Sequence, residues 1–386
     1  MSDVHTESPV FRLGDRGDGV LEIRSRLDLL GLLDGEPDDP AAFDPALERA
    51  VRAFQQQRGI SVDGVVGMST YRRLEEARWR LGDRLLTHVP GSLLSGDDVV
   101  ALQQRLLGLG FKVGRVDGRF GHRTEQAVRD FQRNVGVPPD GTCGPATLKA
   151  LSRLAPIVRG GQPNALRAEE RIRRAGPQLT GKVVVIDPAV GRIGDPELRG
   201  MADAITYDLA RRVEGRLVAT GVQAFLTNQG GAGEADEVDR AEFANRTDAN
   251  LCISLQMDYS DNADAAGVST YFYGSDAHGV VSSVGERFAG LVQREIVART
   301  DLADLRSHAK SWDLLRRTRM PAVRIDLGYI SNPHDAGRLS DPAFRDVVAE
   351  AVVVAVQRVY LAPEVDSKTG VLRLSELRAA VRAHRP

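Results

Sequence analysis

The side chains in this sequence that could bind a metal ion or transfer a proton are concentrated in its second half. His278, His308 and His334 offer imidazole nitrogens, and Asp187 and Asp326 lie in apolar runs typical of buried strands. A catalytic zinc ion needs three protein ligands and an open position for water. None of the histidines has a second histidine four residues away, and none follows a predicted strand end. The histidines therefore indicate solvated or structural roles. For Asp187, Asp258 and Asp326 the sequence favours turn capping or hydrogen bonding, with binding of a hard cation as the alternative.

Composition and charge exclude several other classes of function. The chain has 386 residues, 42% hydrophobic and 27% charged. Its net charge of −2 implies no bulk electrostatic attraction to nucleic acid or to a membrane surface. Residues 1–15 contain no basic segment followed by an apolar one, as a secretory signal would. No apolar run approaches the roughly 20 residues of a membrane span. With two widely separated cysteines, the sequence predicts a cytoplasmic protein in a reducing compartment.

An internal repeat fills the first 155 residues. Residues 50–55 read AVRAFQ and residues 127–132 read AVRDFQ, and each hexapeptide is followed by an Asp-Gly turn with Gly and Thr at the same spacing. Apolar residues at helical spacing precede each copy. The pattern predicts two all-α units of three short helices, at residues 10–80 and 91–155.

Both copies resemble the small peptidoglycan-binding domain found beside bacterial cell-wall hydrolases. Copy two carries every part of that motif, at Leu106–Gly110, Asp117–Thr124, Ala127–Gln132 and Asp140–Thr147. Copy one has Phe43-Asp44-Pro45-Ala46 in place of the second part. The resemblance implies the fold and suggests glycan or peptide ligands, whereas the motif residues themselves fit turns and cores. Helical modules that bind another protein are the alternative reading.

A second architecture follows a turn-rich linker at residues 156–181. Strands and helices alternate from residue 182 to 361, beginning with the apolar run at residues 183–186. Such alternation predicts an α/β domain with a mixed sheet and helices on both faces. The expected helices include residues 203–220, 280–299 and 342–360.

This second region resembles the zinc-dependent N-acetylmuramoyl-L-alanine amidases. The resemblance rests on the opening strand with Asp187-Pro188, on an Arg-x-x-x-Ala-Asn helix at Arg240–Asn245, and on a block from Arg316 to Pro333 that ends in Gly-Tyr-Ile-Ser-Asn-Pro. It implies an enzyme that cleaves the amide between muramic acid and the stem peptide. The implied site has three zinc ligands and a glutamate as general base.

The residues at those four positions depart from the family. Val190 and Ala202 stand where the first His and the Glu belong, with Asp203 next to Ala202. Gln256 stands at the second His and Asp326 at the general base. Valine and alanine offer no lone pair, and a lone glutamine amide is a poor zinc ligand. The sequence therefore predicts a pseudoenzyme with no catalytic residue, no cofactor and no zinc.

Residues 362–386 form a predicted regulatory tail. Thr369 follows Lys368 in a polar stretch, and a phosphate there would add nearly two negative charges. An unmodified, frayed terminus is the alternative reading.

The whole arrangement resembles the actinobacterial CwlM family of cytoplasmic regulators. That resemblance implies phosphorylation by a serine/threonine protein kinase and activation of the UDP-N-acetylglucosamine enolpyruvyl transferase that starts peptidoglycan precursor synthesis. Two alternatives remain open, an N-acetylmuramoyl-L-alanine amidase with unorthodox ligands and a non-catalytic sensor that binds muropeptides or precursors.

Overall fold

The computed structural model describes residues 10–33, 35, 37–154, 163–189, 191, 193–228, 236–275 and 279–361, with side chains from residue 168 onward in the helix that starts at Pro163. The chain divides into two compact units, one formed mostly by residues 1–164 and the other by the remainder. Among the described helices, none combines the length and the apolar character needed to cross a membrane. Val190, His278 and Thr369 lie outside the described residues.

The first unit contains two sets of three helices. The first set is α1 (Asp18–Leu29), α2 (Pro45–Arg58) and α3 (Met68–Ala77), and the second is α4 (Asp97–Gly108), α5 (His122–Val135) and α6 (Pro145–Ser152). Each set closes around its own apolar cluster, with Phe54 in one and Phe131 in the other, both fully buried. These are the phenylalanines of the repeated hexapeptides, so the helical prediction for this region is confirmed.

The repeated glutamine explains why the turn motif recurs. The side-chain amide of Gln132 donates to Asp140 Oδ1 at 2.7 Å, to the Thr142 carbonyl at 3.0 Å and to Thr147 Oγ1 at 3.0 Å, and its oxygen accepts from the Gly141 amide at 2.9 Å. The glutamine is 1% exposed. A buried amide of this kind must satisfy all its hydrogen bonds within the protein. The motif from Asp140 to Thr147 is therefore one hydrogen-bonded unit centred on Gln132.

Two further side chains play the same part. Gln55 contacts Asp63, Val65 and Thr70 in the first repeat, and Gln103 contacts Asp117, Arg119 and Thr124 in the second. The motif thus specifies the fold of the repeat and leaves its ligand unspecified.

The second unit is an α/β fold with a seven-stranded mixed sheet. Its strands are β1 (Val183–Pro188), β2 (Gln223–Leu226), β3 (Leu251–Asp258), β4 (Val268–Ser275), β5 (Val280–Val281), β6 (Asp304–Lys310) and β7 (Ala322–Tyr329). The order is β2-β1-β3-β7-β4-β5, and β6 pairs with β4. Strands β2, β1, β3 and β7 are parallel, whereas β4 runs antiparallel to β7. The predicted fold class, helical repeats followed by an α/β domain with a mixed sheet, is confirmed.

Seven helices accompany the described strands. They are α7 (Pro163–Arg174), α8 (Pro196–Val218), α9 (Glu237–Arg246), α10 (Ser283–Val297), α11 (Asp313–Arg317), α12 (Pro333–Ser340) and α13 (Pro342–Val359). Ile172 and Leu179 are buried in the apolar cluster of the α/β unit. The second half of the segment treated as a linker therefore packs as part of this unit.

The expected boundaries differ from the structure at several helices. Helix α8 begins at Pro196 rather than at residue 203, because Asp195 caps it by accepting from the amides of Glu197 at 2.8 Å and Leu198 at 3.1 Å. Helix α10 begins at Ser283, after the capping hydroxyl of Ser282. Strand β6 and the short helices α11 and α12 were not expected from the sequence.

Candidate functional site

The two faces of the sheet differ in chemistry because side chains alternate along each strand. Ile186, Ile253 and Ile325 belong to the apolar cluster that also contains residues of α8, α10 and α13. Toward the carboxyl ends of β1, β3 and β7 the alternate residues are polar, and strand register makes them neighbours. Asp187 pairs with Ser254, Ser254 with Arg324, Gln256 with Asp326, and Tyr271 with Arg324. The sheet therefore presents one polar face, which contains two of the predicted site positions.

Asp187 is held by three donors at one end of the polar face. Its carboxylate is completely buried and accepts from the hydroxyls of Ser254, at 2.7 Å, and Thr227, at 2.5 Å. The guanidinium of Arg240 on α9 completes the group. A buried carboxylate with this many donors has a structural role, as the sequence indicated for Asp187.

The Arg-x-x-x-Ala-Asn segment also has a structural role. Arg240 binds Asp187, and Asn245 at the end of the same helix donates to the Arg317 carbonyl at 2.9 Å and accepts from the Arg319 amide at 2.8 Å. Helix α9 is thereby fixed to β1 and to the segment that leads into β7.

Asp326 forms an ion pair within its own strand. Arg324 Nε donates to Asp326 Oδ1 at 2.7 Å and Arg324 Nη2 donates to Oδ2 at 3.1 Å. The guanidinium carbon lies 4.0 Å from the centroid of the Trp312 ring, and Glu237 on α9 lies 4.0 Å from Arg324 Nη1. Tyr271 packs against Trp312 with the ring centroids 4.6 Å apart. This cluster of charged and aromatic side chains is defined here as the Arg324 cluster.

Burial and charge set the protonation of the Arg324 cluster. Burial raises the pKa of Asp326, and Arg324 opposes that rise. Burial disfavours the charged form of Arg324, but Asp326 and Glu237 outweigh it and raise the pKa of the guanidinium. Burial and the Asp326 charge raise the pKa of Tyr271 to about 12. Arg324 is therefore permanently charged, and its charge is what favours the ionised form of the Asp326 carboxyl.

Of the site positions predicted from the resemblance, the structure places two next to each other and the described third one apart from them. Gln256 and Asp326 are register partners on adjacent strands, and both are buried. Ala202 is 2% exposed and packs in the apolar cluster from α8. His308 is exposed and contacts the Leu305 carbonyl at 2.6 Å, and His334 lies 3.9 Å from Asp301.

A three-residue group with metal-ligand chemistry occurs elsewhere. Among the residues that the structure describes, the group that meets this criterion is His88, His122 and Glu125. His88 is counted with the second helical repeat because Leu86, two residues before it, lies in the core of that repeat and pairs with Cys143. The sequence did not predict this group, because the histidines with apparent ligand potential were those of the second half. The available signal was His122 and Glu125, three residues apart at the start of a predicted helix.

Comparison with known proteins defines the class. Residues 184–358 match the family model described as N-acetylmuramoyl-L-alanine amidase, and residues 16–74 and 95–151 match the one described as putative peptidoglycan binding domain. The chain is thus an amidase-domain protein with two peptidoglycan-binding-type repeats. It is 45% identical over 387 aligned residues to the N-acetylmuramoyl-L-alanine amidase CwlM of Mycobacterium tuberculosis H37Rv, covering 97% of this chain and 95% of that protein. The chain belongs to the CwlM family.

Other relatives match the α/β unit. The germination-specific N-acetylmuramoyl-L-alanine amidase of Bacillus subtilis is 24% identical over 47% of this chain and 81% of its own length. The solved structure of the amidase AmiC2 of Nostoc punctiforme is 27% identical, with a TM-score of 0.41 over 46% of this chain and 96% of that chain.

Proposed function

We propose that this chain is a non-catalytic, cytoplasmic regulator of peptidoglycan precursor synthesis. The observation that supports the proposal most directly is the ion pair between Arg324 and Asp326, at the position where the resemblance puts the general base. The guanidinium is permanently charged and engages both carboxylate oxygens. The carboxylate at the general-base position is thus committed to an ion pair within its own strand.

The ligand positions support the same reading. At the three ligand positions, the side chains of Val190 and Ala202 have no lone pair and Gln256 offers a neutral amide oxygen. Asp326, at the general-base position, is already paired with a cation. A catalytic zinc site needs three protein ligands, of which histidine, carboxylate and thiolate are the usual kinds. Because Arg324 donates to both oxygens of Asp326, neither oxygen is left as a replacement ligand. These residues do not fit a zinc ion, so we derive no hydrolytic step for this chain.

Hydrolysis is nevertheless the second candidate function. The relative from Mycobacterium tuberculosis carries the name N-acetylmuramoyl-L-alanine amidase, and it aligns with nearly all of this chain. A third candidate is a sensor of muropeptides or precursors, which the match to the putative peptidoglycan binding domain favours.

The hydrolase question is tested with the purified full chain and insoluble peptidoglycan. Released stem peptides are measured by mass spectrometry, with and without added zinc. We expect no release above the buffer control. Release that a chelator abolishes, and that Asp326→Asn also abolishes, would overturn the proposal and favour the amidase.

The regulatory part of the proposal concerns Thr369 and two partners. We propose that a serine/threonine protein kinase phosphorylates Thr369, and that the phosphorylated chain activates the UDP-N-acetylglucosamine enolpyruvyl transferase. The assay compares the transferase rate with kinase-treated wild type, Thr369→Ala and the neighbouring control Ser367→Ala. We expect activation by wild type and by Ser367→Ala, and its loss in Thr369→Ala. Full activation by Thr369→Ala would contradict the role of this residue.

A further inference from the structure

Two histidines and a glutamate converge on the second helical repeat. Glu125 Oε2 lies 2.9 Å from His88 Nδ1 and 3.6 Å from His122 Nδ1. The ligand atoms of the three residues all lie within 4.8 Å of one another. The edges of a tetrahedral zinc site with ligand bonds of about 2.0–2.1 Å are about 3.4 Å long. A small rotation of the side chains would bring the three atoms to that spacing.

The burial and position of the three side chains suit such a site. His88 and Glu125 are largely buried, with side-chain exposures of 18% and 20%, whereas His122 has an exposure of 79%. His122 is the first residue of α5, so its imidazole can turn toward the other two without disturbing the core. Two ligands are therefore pre-positioned and the third can close over the ion.

Arg129 binds the Glu125 carboxylate through Oε1, the oxygen that does not contact the histidines. Its guanidinium donates to Glu125 Oε1 at 2.9 Å and to the Pro139 carbonyl at 2.7 Å. Oxygen Oε2 is thereby left facing the two imidazoles. An outer hydrogen bond that fixes the orientation of a ligating carboxylate is typical of metal sites.

The first repeat provides an internal comparison. Glu48 and Arg52 on α2 form the same ion pair at 2.8 Å, and Arg52 also reaches a turn carbonyl, that of Val62 at 3.3 Å. The glutamate–arginine pair is thus a common feature of both repeats.

The histidines are present in the second repeat alone. The β-bridges Phe11–Val66 and Leu86–Cys143 align the segments before the first helices, so Leu13 corresponds to His88. Pro45 and His122 are the first residues of the two middle helices. The first repeat therefore carries the carboxylate and its arginine without imidazole ligands, which shows that the fold itself does not require the histidines.

We propose that His88, His122 and Glu125 form a binding site for Zn²⁺ or a similar divalent transition-metal ion, with water in the remaining position. The ligand set of two imidazoles and one carboxylate is one that zinc accepts. A bound ion connects the segment before α4 to α5 and so stabilises the second repeat. The site is independent of the amidase-like region and of the function proposed above.

The test uses the purified, metal-free full chain titrated with zinc chloride by calorimetry and with Co²⁺ by visible absorption. We expect one ion per chain in wild type, at least tenfold weaker binding in His88→Ala, His122→Ala and Glu125→Gln, and unchanged binding in the control His308→Ala. Zinc is also expected to raise the melting temperature of wild type and to leave that of the double variant His88→Ala/His122→Ala unchanged. Far-UV circular dichroism checks that each variant is folded.

Two results would overturn the site. One is the absence of saturable binding to wild type, and the other is binding of one ion per chain to the folded double variant. Binding of one ion to the folded double variant would place zinc elsewhere in the chain and would also count against the non-catalytic function proposed above. The stem-peptide release assay tests that function directly. Because the variants remove zinc from one defined place, failure of the metal site is distinguishable from failure of the proposed function.

Discussion

Arg324 and Asp326 lie two residues apart on β7 and form an ion pair through two hydrogen bonds, of 2.7 Å and 3.1 Å. Residues i and i+2 of a strand point to the same face, so the pairing follows directly from the strand conformation. Trp312 covers the guanidinium. The chain itself therefore supplies the positive charge beside this carboxylate.

The first prediction concerns the stability that this pair confers. The side chains of Arg324 and Asp326 have exposures of only 15% and 6%. Removing one partner of a buried pair typically costs about 3–5 kcal/mol, because the other charge is left unpaired. We expect Arg324→Met to lower the free energy of unfolding of the α/β unit by about 3 kcal/mol. Urea denaturation is followed through Trp312 fluorescence in a Trp79→Phe background.

The exposed Arg211 on α8 serves as the matched control for this prediction. Arg211→Ala is expected to change the free energy of unfolding by no more than about 0.5 kcal/mol. The double variant Arg324→Met/Asp326→Leu is expected to recover most of the loss, since buried ion pairs can often be replaced by apolar residues. A loss below about 1 kcal/mol in Arg324→Met would contradict a structural role for the pair.

The second prediction concerns Gln132 in the second repeat. Gln132→Leu leaves the buried Gly141 amide and Thr147 hydroxyl without this partner, and an unsatisfied buried polar group costs about 1–3 kcal/mol. We expect the second repeat to lose about 2–3 kcal/mol of stability. Hydrogen exchange read by mass spectrometry localises the loss to α5 and α6, with α2 as the internal reference. The exposed Gln126, replaced by Ala, should stay near wild type, and an equal effect of the two variants would argue against the glutamine-centred unit.

The helical repeats could be predicted because their determinants are local. The spacing of apolar residues predicts the helices. The Asp-Gly turns at residues 63–64 and 140–141 lie in the loops that connect each middle helix to the last helix of its repeat. Helix α8 was expected to begin too late because the capping role of Asp195 was not recognised. Strand β6 was missed because its residues are half exposed and carry few apolar side chains.

The site could be predicted only in part, because its contacts depend on tertiary register. The neighbouring positions of Gln256 and Asp326 follow from two strand assignments, and the resemblance identified both residues. The guanidinium beside Asp326 belongs to Arg324, which is not one of the motif residues on which the resemblance rests. Likewise, His88 is separated from Glu125 by 37 positions along the chain, so the sequence contains no local pattern that joins them.

The third prediction concerns the effect of acidic pH on the stability of the helical unit through Asp140. Hydrogen bonds from the Thr142 amide and the Gln132 side chain lower the pKa of Asp140 below its ordinary value of 3.8. A carboxyl with a lowered folded-state pKa contributes stability above its unfolded value and loses that contribution as the pH falls through the folded value. We expect the melting temperature of the helical unit to fall below about pH 4. In Asp140→Asn the fall should be smaller, and an unchanged acid response would contradict the role of this carboxyl.

The fourth prediction concerns Arg24, which occupies in the first repeat the position of Gln103 in the second. The first repeat lacks the Asp-Gly turn that Gln103 binds in the second. The longer side chain of Arg24 instead contacts the loop before α2. Its guanidinium donates to the carbonyls of Pro40 at 3.1 Å and Ala42 at 2.8 Å, and to Asp44 Oδ2 at 2.8 Å. Asp44 in turn caps α2 by accepting from the Leu47 amide at 2.7 Å.

Arg24→Gln should therefore fail to restore the arrangement of the second repeat. A glutamine is too short to reach all three acceptors, and the loop offers no Asp-Gly amides in exchange. Since hydrogen bonds to charged groups contribute about 1.5–3 kcal/mol each, we expect the first repeat to lose about 2 kcal/mol of stability and its amides in α2 to exchange faster with deuterium. Hydrogen exchange read by mass spectrometry localises the effect, with α5 as the internal reference. Wild-type protection of α2 in this variant would show that Arg24 is dispensable and that the degraded loop is held by other contacts.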